Sequence, residues 1–144
     1  MTLQRILLVE DSPADEKLTL RALRRVNLAH QVDVVRDGQQ AVDYVFAEGE
    51  YAESRAGAPP PVVILLDMNL PKLGGLEVLR RVRTDARTRL VPVVMLTSSD
   101  EERDRLSSYQ GGANSFVRKP VVFEEFAETV GRLGVYWVLV NSQA

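Results

Sequence analysis

V-V-I-L-L-D at residues 62–67 is apolar at five consecutive positions and then ends in an acid. A strand that is apolar at consecutive positions is buried on both faces, which is typical of a parallel sheet covered by helices on both sides. We therefore expect a strand of such a sheet here. Shorter or weaker runs of the same kind stand at residues 6–9, 32–35, 93–96 and 116–117.

Helical patterns separate these runs. Ser12 and Pro13 are a capping residue and a proline at the first helical position, and Asp15 and Glu16 follow in the first turn. Further helices are predicted over residues 41–46, over residues 76–82, after Ser99 and from about residue 122. A βα unit repeated five times predicts an α/β fold with a doubly wound parallel sheet.

The composition is that of one ordinary globular domain. The chain has 144 residues, 18 Lys+Arg and 20 Asp+Glu, and a net charge of −2, which gives no overall attraction to nucleic acid. Without Cys it forms no disulfide or thiolate metal site, and one His (His30, expected in a surface loop) cannot build a histidine metal site. No apolar run reaches the ~20 residues that span a bilayer, so we expect a cytoplasmic protein with no membrane contact.

Polar side chains follow the predicted strands at the point where each strand ends. Glu10 and Asp11 follow the first strand, Asp67 the third and Thr97 the fourth, while the fifth runs into Lys119. Ligands of open α/β sheets bind at this edge. Three carboxylates repel one another unless a cation lies between them, and oxygen ligands suit Mg²⁺ or Mn²⁺. Lysine and threonine facing that metal would hold an anionic group such as phosphate.

In combination, these residues resemble the receiver domain of two-component response regulators, from residue 6 to about residue 130. The matching motifs are L-L-V-E-D at 7–11, I-L-L-D-M-N-L-P at 64–71 with Gly74-Gly75 after it, V-V-M-L-T-S at 93–98 and G-A-N-S-F-V-R-K-P at 112–120. The resemblance implies a flavodoxin-like (CheY-like) five-stranded parallel sheet of order 2-1-3-4-5. The long loop 48–61 and the aromatic C-terminal segment look like small regulators paired with bacterial phytochrome histidine kinases.

The resemblance also implies a role for each site residue. Asp67 is the expected phosphoacceptor, taking the phosphoryl group of a kinase phosphohistidine, while Lys119 and Thr97 contact phosphoryl oxygens. The Lys119-Pro120 peptide is expected to be cis. The implied ligands of Mg²⁺ (or Mn²⁺) are Glu10, Asp11, Asp67 and the backbone carbonyl of Asn69.

Further residues are expected to tune or transmit the signal. Phe116 falls at the position of the family's switch aromatic, which turns inward when Thr97 moves; the alternative is an ordinary core aromatic. Asn69 and Ser99 lie two residues beyond Asp67 and Thr97, at positions that in this family flank the path of an attacking water, so we expect them to tune the lifetime of the aspartyl phosphate.

The C-terminal run 134–140 is apolar around the whole circumference of a helix, so one core-facing stripe cannot bury it. We expect a homodimer through Tyr136, Trp137 and Leu139; the alternative is a tail folded back onto its own domain. We expect loop 48–61 to be a solvated loop; the alternative is a loop that contacts a partner protein.

The expected organisation is a single receiver domain over residues 1–144. Its core spans about residues 4–130, and a C-terminal helix and tail span about residues 122–144. Only 24 residues follow Pro120, so we expect a stand-alone switch with no DNA-binding output domain. The expected activity is phosphoryl acceptance with slow self-dephosphorylation, not an enzymatic output.

Other functions remain as alternatives. A phosphohydrolase of the haloacid dehalogenase kind, or a nuclease with an Asp-x-Asp metal pair, needs an acid where Asn69 stands. A flavodoxin-type carrier needs a hydroxyl-rich phosphate loop where Glu10 and Asp11 stand. A receiver that never takes phosphate is the remaining rival.

Overall fold

The computed structural model describes residues 5–25, 31–68, 70–98 and 115–133. Within these ranges five strands form one parallel sheet in the order β2-β1-β3-β4-β5, which confirms the predicted fold. The strands are β1 (Ile6–Val9), β2 (Val32–Val35), β3 (Val63–Asp67), β4 (Val93–Thr97) and β5 (Ser115–Arg118). β3 is one residue later than predicted, because Asp67 itself pairs with Leu96 of β4.

Helices connect these strands. The described helices are α1 (Pro13–Arg25), α2 (Gly38–Phe46), α3 (Gly75–Thr84) and α4 (Phe123–Leu133), with a short 3-10 helix at Gly49–Tyr51. The first turn of α1 is capped as predicted, since the backbone N–H of Asp15 donates to Ser12 Oγ at 3.3 Å. The helix predicted after Ser99 lies outside the described residues. No helix in the described ranges combines the length and the hydropathy needed to cross a membrane.

Two apolar layers cover the sheet. Every residue of β1, β3 and β4 is buried, so successive side chains of these strands supply opposite faces. Leu7 and Val9 belong to the layer beneath α2 and α3, whereas Ile6 and Leu8 belong to the layer that contains Leu23 of α1 and Phe126 of α4. The central strands are therefore fixed on both sides, and their carboxyl ends form one rigid edge.

The long loop folds back against α2. The Arg55 guanidinium lies 3.9 Å from the centre of the Tyr44 ring, and its Nε donates to the Tyr44 carbonyl at 3.1 Å. The Tyr51 ring packs edge-on against the Tyr44 ring, with 5.3 Å between the ring centres. Residues 52–54 and 56–60 are nevertheless exposed, as a solvated loop requires. The loop is thus attached at a few points and open to solvent elsewhere.

Candidate functional site

Three carboxylates converge at the carboxyl edge of the sheet. Each of these residues, Glu10, Asp11 and Asp67, has a carboxylate oxygen within 4.8 Å of a carboxylate oxygen of the other two. Glu10 is completely buried and Asp67 is 2% exposed, while Asp11 is exposed. The predicted acidic cluster therefore exists, and it opens to solvent on the Asp11 side.

The backbone around the cluster is fixed by local packing. The N–H of Glu10 donates to the Val35 carbonyl at 3.0 Å, which extends the β1–β2 pairing to the site. A Cβ on Gly75 would lie 2.6 Å from the Asp67 carbonyl oxygen, so only glycine allows α3 to start this close to the strand end. Asp67 is consequently held between its own strand and the first turn of α3.

Lys119 reaches into the same cluster from the end of β5. Its Nζ lies 3.3 Å from Glu10 Oε1, 3.3 Å from Asp67 Oδ2 and 3.0 Å from Asp15 Oδ2. Burial lowers the pKa of Lys119, but the hydrogen bond with Asp15 and the charges of Asp67 and Glu10 outweigh burial, so the pKa is raised. Lys119 is therefore a permanent cation beside the expected phosphoacceptor.

One lysine does not neutralise this cluster. Burial and the neighbouring Asp67 carboxylate raise the pKa of Glu10 to about 7, although the Ser12 N–H and the Lys119 ammonium act in the opposite direction. The three carboxylates of the cluster also carry more negative charge than the one ammonium of Lys119 neutralises. The donor set consists of carboxylate oxygens, which suits Mg²⁺ or Mn²⁺.

Thr97 lies at the same edge of the sheet, next to Lys119, and Phe116 lies on the neighbouring strand β5. Thr97 is buried at the end of β4, and its carbonyl accepts from the Lys119 N–H at 2.7 Å. The Lys119-Pro120 peptide is cis, as predicted. Phe116 is half-buried on β5, pairs with Met95 and packs against the layer beneath α2 and α3. Its switch role stays a prediction.

Some predicted residues lie outside the described ranges. They are His30, Asn69, Ser99, Tyr136, Trp137 and Leu139. Conversely, the structure adds Asp15 to the site, and the sequence alone does not single it out. An acid in the first turn of a helix is already explained by the helix dipole, and its contact with Lys119 is created only by the tertiary fold.

Comparison with known proteins agrees with this geometry. Residues 6–131 match the response regulator receiver domain. Response regulator Rcp1 of Synechocystis sp. is 36% identical over 133 residues, which cover 92% of this chain and 88% of that protein. The Mn²⁺-bound form of Rcp1 superposes with a TM-score of 0.72 at 35% identity, over 93% of this chain and 94% of that one.

Two further solved structures belong to phytochrome response regulators. The bacteriophytochrome response regulator RtBRR has a TM-score of 0.87 at 51% identity, covering 94% of this chain and 81% of that one. The phosphorylated cyanobacterial phytochrome response regulator RcpA has a TM-score of 0.74 at 37% identity, covering 95% of each chain. The chain belongs to the response regulator receiver domain family, and bacteriophytochrome response regulators are among its close structural neighbours.

Proposed function

We propose that this protein accepts a phosphoryl group on Asp67 from a sensor histidine kinase and thereby switches between two conformations. The observation that carries the proposal is the position of Asp67, a buried carboxylate 3.3 Å from Lys119 Nζ and in the same cluster as Glu10 and Asp11. The phosphorylated state of the similar regulator RcpA supports it.

The chain's own residues would perform the transfer by position and charge. A carboxylate oxygen of Asp67 forms a bond to the phosphorus of a phosphohistidine, the P–N bond breaks, and its electron pair stays on the imidazole nitrogen, which takes up a proton. Lys119 offers its ammonium to one phosphoryl oxygen, and the Thr97 hydroxyl donates to another. These two side chains therefore stabilise charge on the transferred group.

A divalent cation completes the proposed site. Glu10, Asp11 and Asp67 would hold Mg²⁺ or Mn²⁺, together with the backbone carbonyl of Asn69. When bound, the ion neutralises charge on the phosphoryl oxygens. The excess of carboxylates over the Lys119 ammonium, and the Mn²⁺-bound form of the similar Rcp1, support this assignment.

The relatives support a light-sensing pathway. Because similar proteins are phytochrome response regulators, we assign a phytochrome-type histidine kinase as the partner. We also propose that the protein acts in the cytoplasm. We further propose a homodimer formed through Tyr136, Trp137 and Leu139, and slow self-dephosphorylation tuned by Asn69 and Ser99. Signalling then passes through protein contacts.

Labelling with acetyl phosphate tests the proposal. Intact mass should show a gain of one phosphoryl group that requires Mg²⁺ and disappears in EDTA. Asp67→Asn should abolish the gain, whereas Asp43→Asn, which removes a carboxylate from α2 away from the site, should leave it unchanged. Equal labelling of the native chain and Asp67→Asn, or no labelling of either, would contradict the assignment.

A further inference from the structure

Asp15 is a fourth carboxylate next to the acidic cluster, and none of the roles assigned so far includes it. Its Oδ2 lies 3.0 Å from Lys119 Nζ, closer than the oxygens of Glu10 and Asp67, which both lie at 3.3 Å. The Asp15 side chain is 29% exposed, whereas that of Asp67 is 3% exposed. Asp15 thus holds the lysine from the solvent side of the site.

The backbone of Asp15 is fixed by α1. Its N–H donates to Ser12 Oγ at 3.3 Å, and its carbonyl accepts from the Thr19 hydroxyl at 2.9 Å. The carboxylate is therefore presented by the first turn of a packed helix, which gives it a defined position relative to the sheet edge.

The number of contacts at Lys119 matters for the reaction. An ammonium group has three N–H donors, and three carboxylates surround this one. The proposed function changes two of them, because Asp67 becomes an acyl phosphate and Glu10 faces the cation. Asp15 is the one of the three carboxylates that is neither phosphorylated nor assigned to the cation, so its contact with the lysine is free to persist through the transfer.

We propose that Asp15 is a positioning residue that keeps the Lys119 ammonium directed at the phosphoryl group throughout the transfer. This inference rests on the proposed function of Asp67. A lysine side chain has four flexible carbons, so without Asp15 the ammonium would spend less time at the phosphoryl oxygen. Asp15 lies outside the cluster of possible metal ligands, so its removal should affect the rate more than the binding of the cation.

The test compares rates of acetyl phosphate labelling over a series of Mg²⁺ concentrations. Asp15→Asn should lower the maximal rate by about tenfold and change the half-saturating Mg²⁺ concentration by less than about threefold. Asp15→Glu should restore part of the rate, because the carboxylate is kept. Glu16→Gln is the matched control. It removes the same charge from the same turn of α1, but the native Glu16 carboxylate contacts Arg36 instead of Lys119.

A double-mutant cycle separates positioning from a general structural role. In a Lys119→Ala background, whose folding is checked by thermal melting, Asp15→Asn should cause no further loss of rate. A rate loss that persists in this background would overturn the inference, as would an unchanged or faster rate in the Asp15→Asn single variant. If the native chain takes no label at all, the proposed function fails and the inference fails with it.

Discussion

At the scale of single residues, Glu10 is a carboxyl group whose protonation is coupled to folding. It is completely buried, and burial together with Asp67 raises its pKa to about 7. The same carboxyl group in the unfolded chain titrates near its ordinary value of 4.5. Between these two pH values the folded state therefore binds more protons than the unfolded state, and folding loses stability as the pH rises.

We therefore expect the free energy of unfolding, measured in EDTA, to fall by roughly 2–3 kcal/mol from pH 4.5 to pH 8 through this group. Glu10→Gln cannot ionise, so its stability should fall less over the same range. Urea denaturation at several pH values measures the difference. If the free energy of unfolding falls equally in both proteins, the prediction that folding raises the pKa of Glu10 is wrong.

The sequence predicts most of the site at this scale, but not all of it. Glu10, Asp67 and Lys119 could be placed together because each follows a parallel strand and all such ends meet at one edge. The contact of Asp15 with Lys119 could not be predicted, because it depends on how the first turn of α1 is oriented toward the end of β5.

At the scale of elements, the start of α2 is packed tightly against the loop that follows β3. A Cβ on Gly38 would lie 1.7 Å from the Leu73 carbonyl oxygen. The Gly38 N–H also donates to the Pro71 carbonyl at 3.4 Å, and Lys72 Nζ lies 3.6 Å from Asp37 Oδ2. The loop beside the phosphoacceptor is thus connected to α2.

We expect Gly38→Ala to destabilise the fold by about 2 kcal/mol or more, because the clash is with backbone and cannot be relieved by a rotamer change. Gly131→Ala is the control: among the described residues, no atom outside its chain neighbours and the adjacent helix backbone lies within 4 Å of its added Cβ, and alanine in a helix should stabilise by about 0.5–1 kcal/mol. Thermal and urea melts of both variants measure this. A Gly38→Ala protein as stable as the native one would contradict the tight packing.

The regular elements follow from sequence more readily than the loop does. β1, β2 and the cap of α1 agree with the apolar runs and with Ser12, because these signals are local. Loop 48–61 has no periodicity, and its attachment through Arg55 to Tyr44 is a tertiary contact between a cation and a ring. Such a contact leaves no local signal in the sequence.

At the scale of the whole molecule, the proposed dimer is a consequence of the apolar run 134–140. Tyr136, Trp137 and Leu139 lie outside the described residues, so the prediction rests on sequence. Sedimentation over a concentration series should show a monomer–dimer equilibrium, and Trp137→Ala should weaken it by about tenfold or more, as large aromatic residues dominate such interfaces. A monomer at all concentrations, with and without a phosphate analogue, would contradict it.

The strand order explains why the proposed phosphoacceptor site lies at the carboxyl edge of the sheet. The chain leaves β1 toward β2 on one side and continues from β3 to β4 and β5 on the other, so the site forms where the strand order reverses. Two apolar layers hold the central strands, and the acids are placed on this rigid support. The fold thus positions Asp67, and the surrounding charges determine what it can accept.

Locating the phosphoryl group is the most direct test of this account. After labelling with acetyl phosphate and Mg²⁺, reduction with borohydride converts an aspartyl phosphate to homoserine, which tandem mass spectrometry of peptides can place. We predict conversion at Asp67 and at no other acid. Homoserine at Asp11, hydroxynorvaline (the reduced glutamyl phosphate) at Glu10, or a labelled chain without homoserine, would contradict the central claim that Asp67 is the phosphoacceptor.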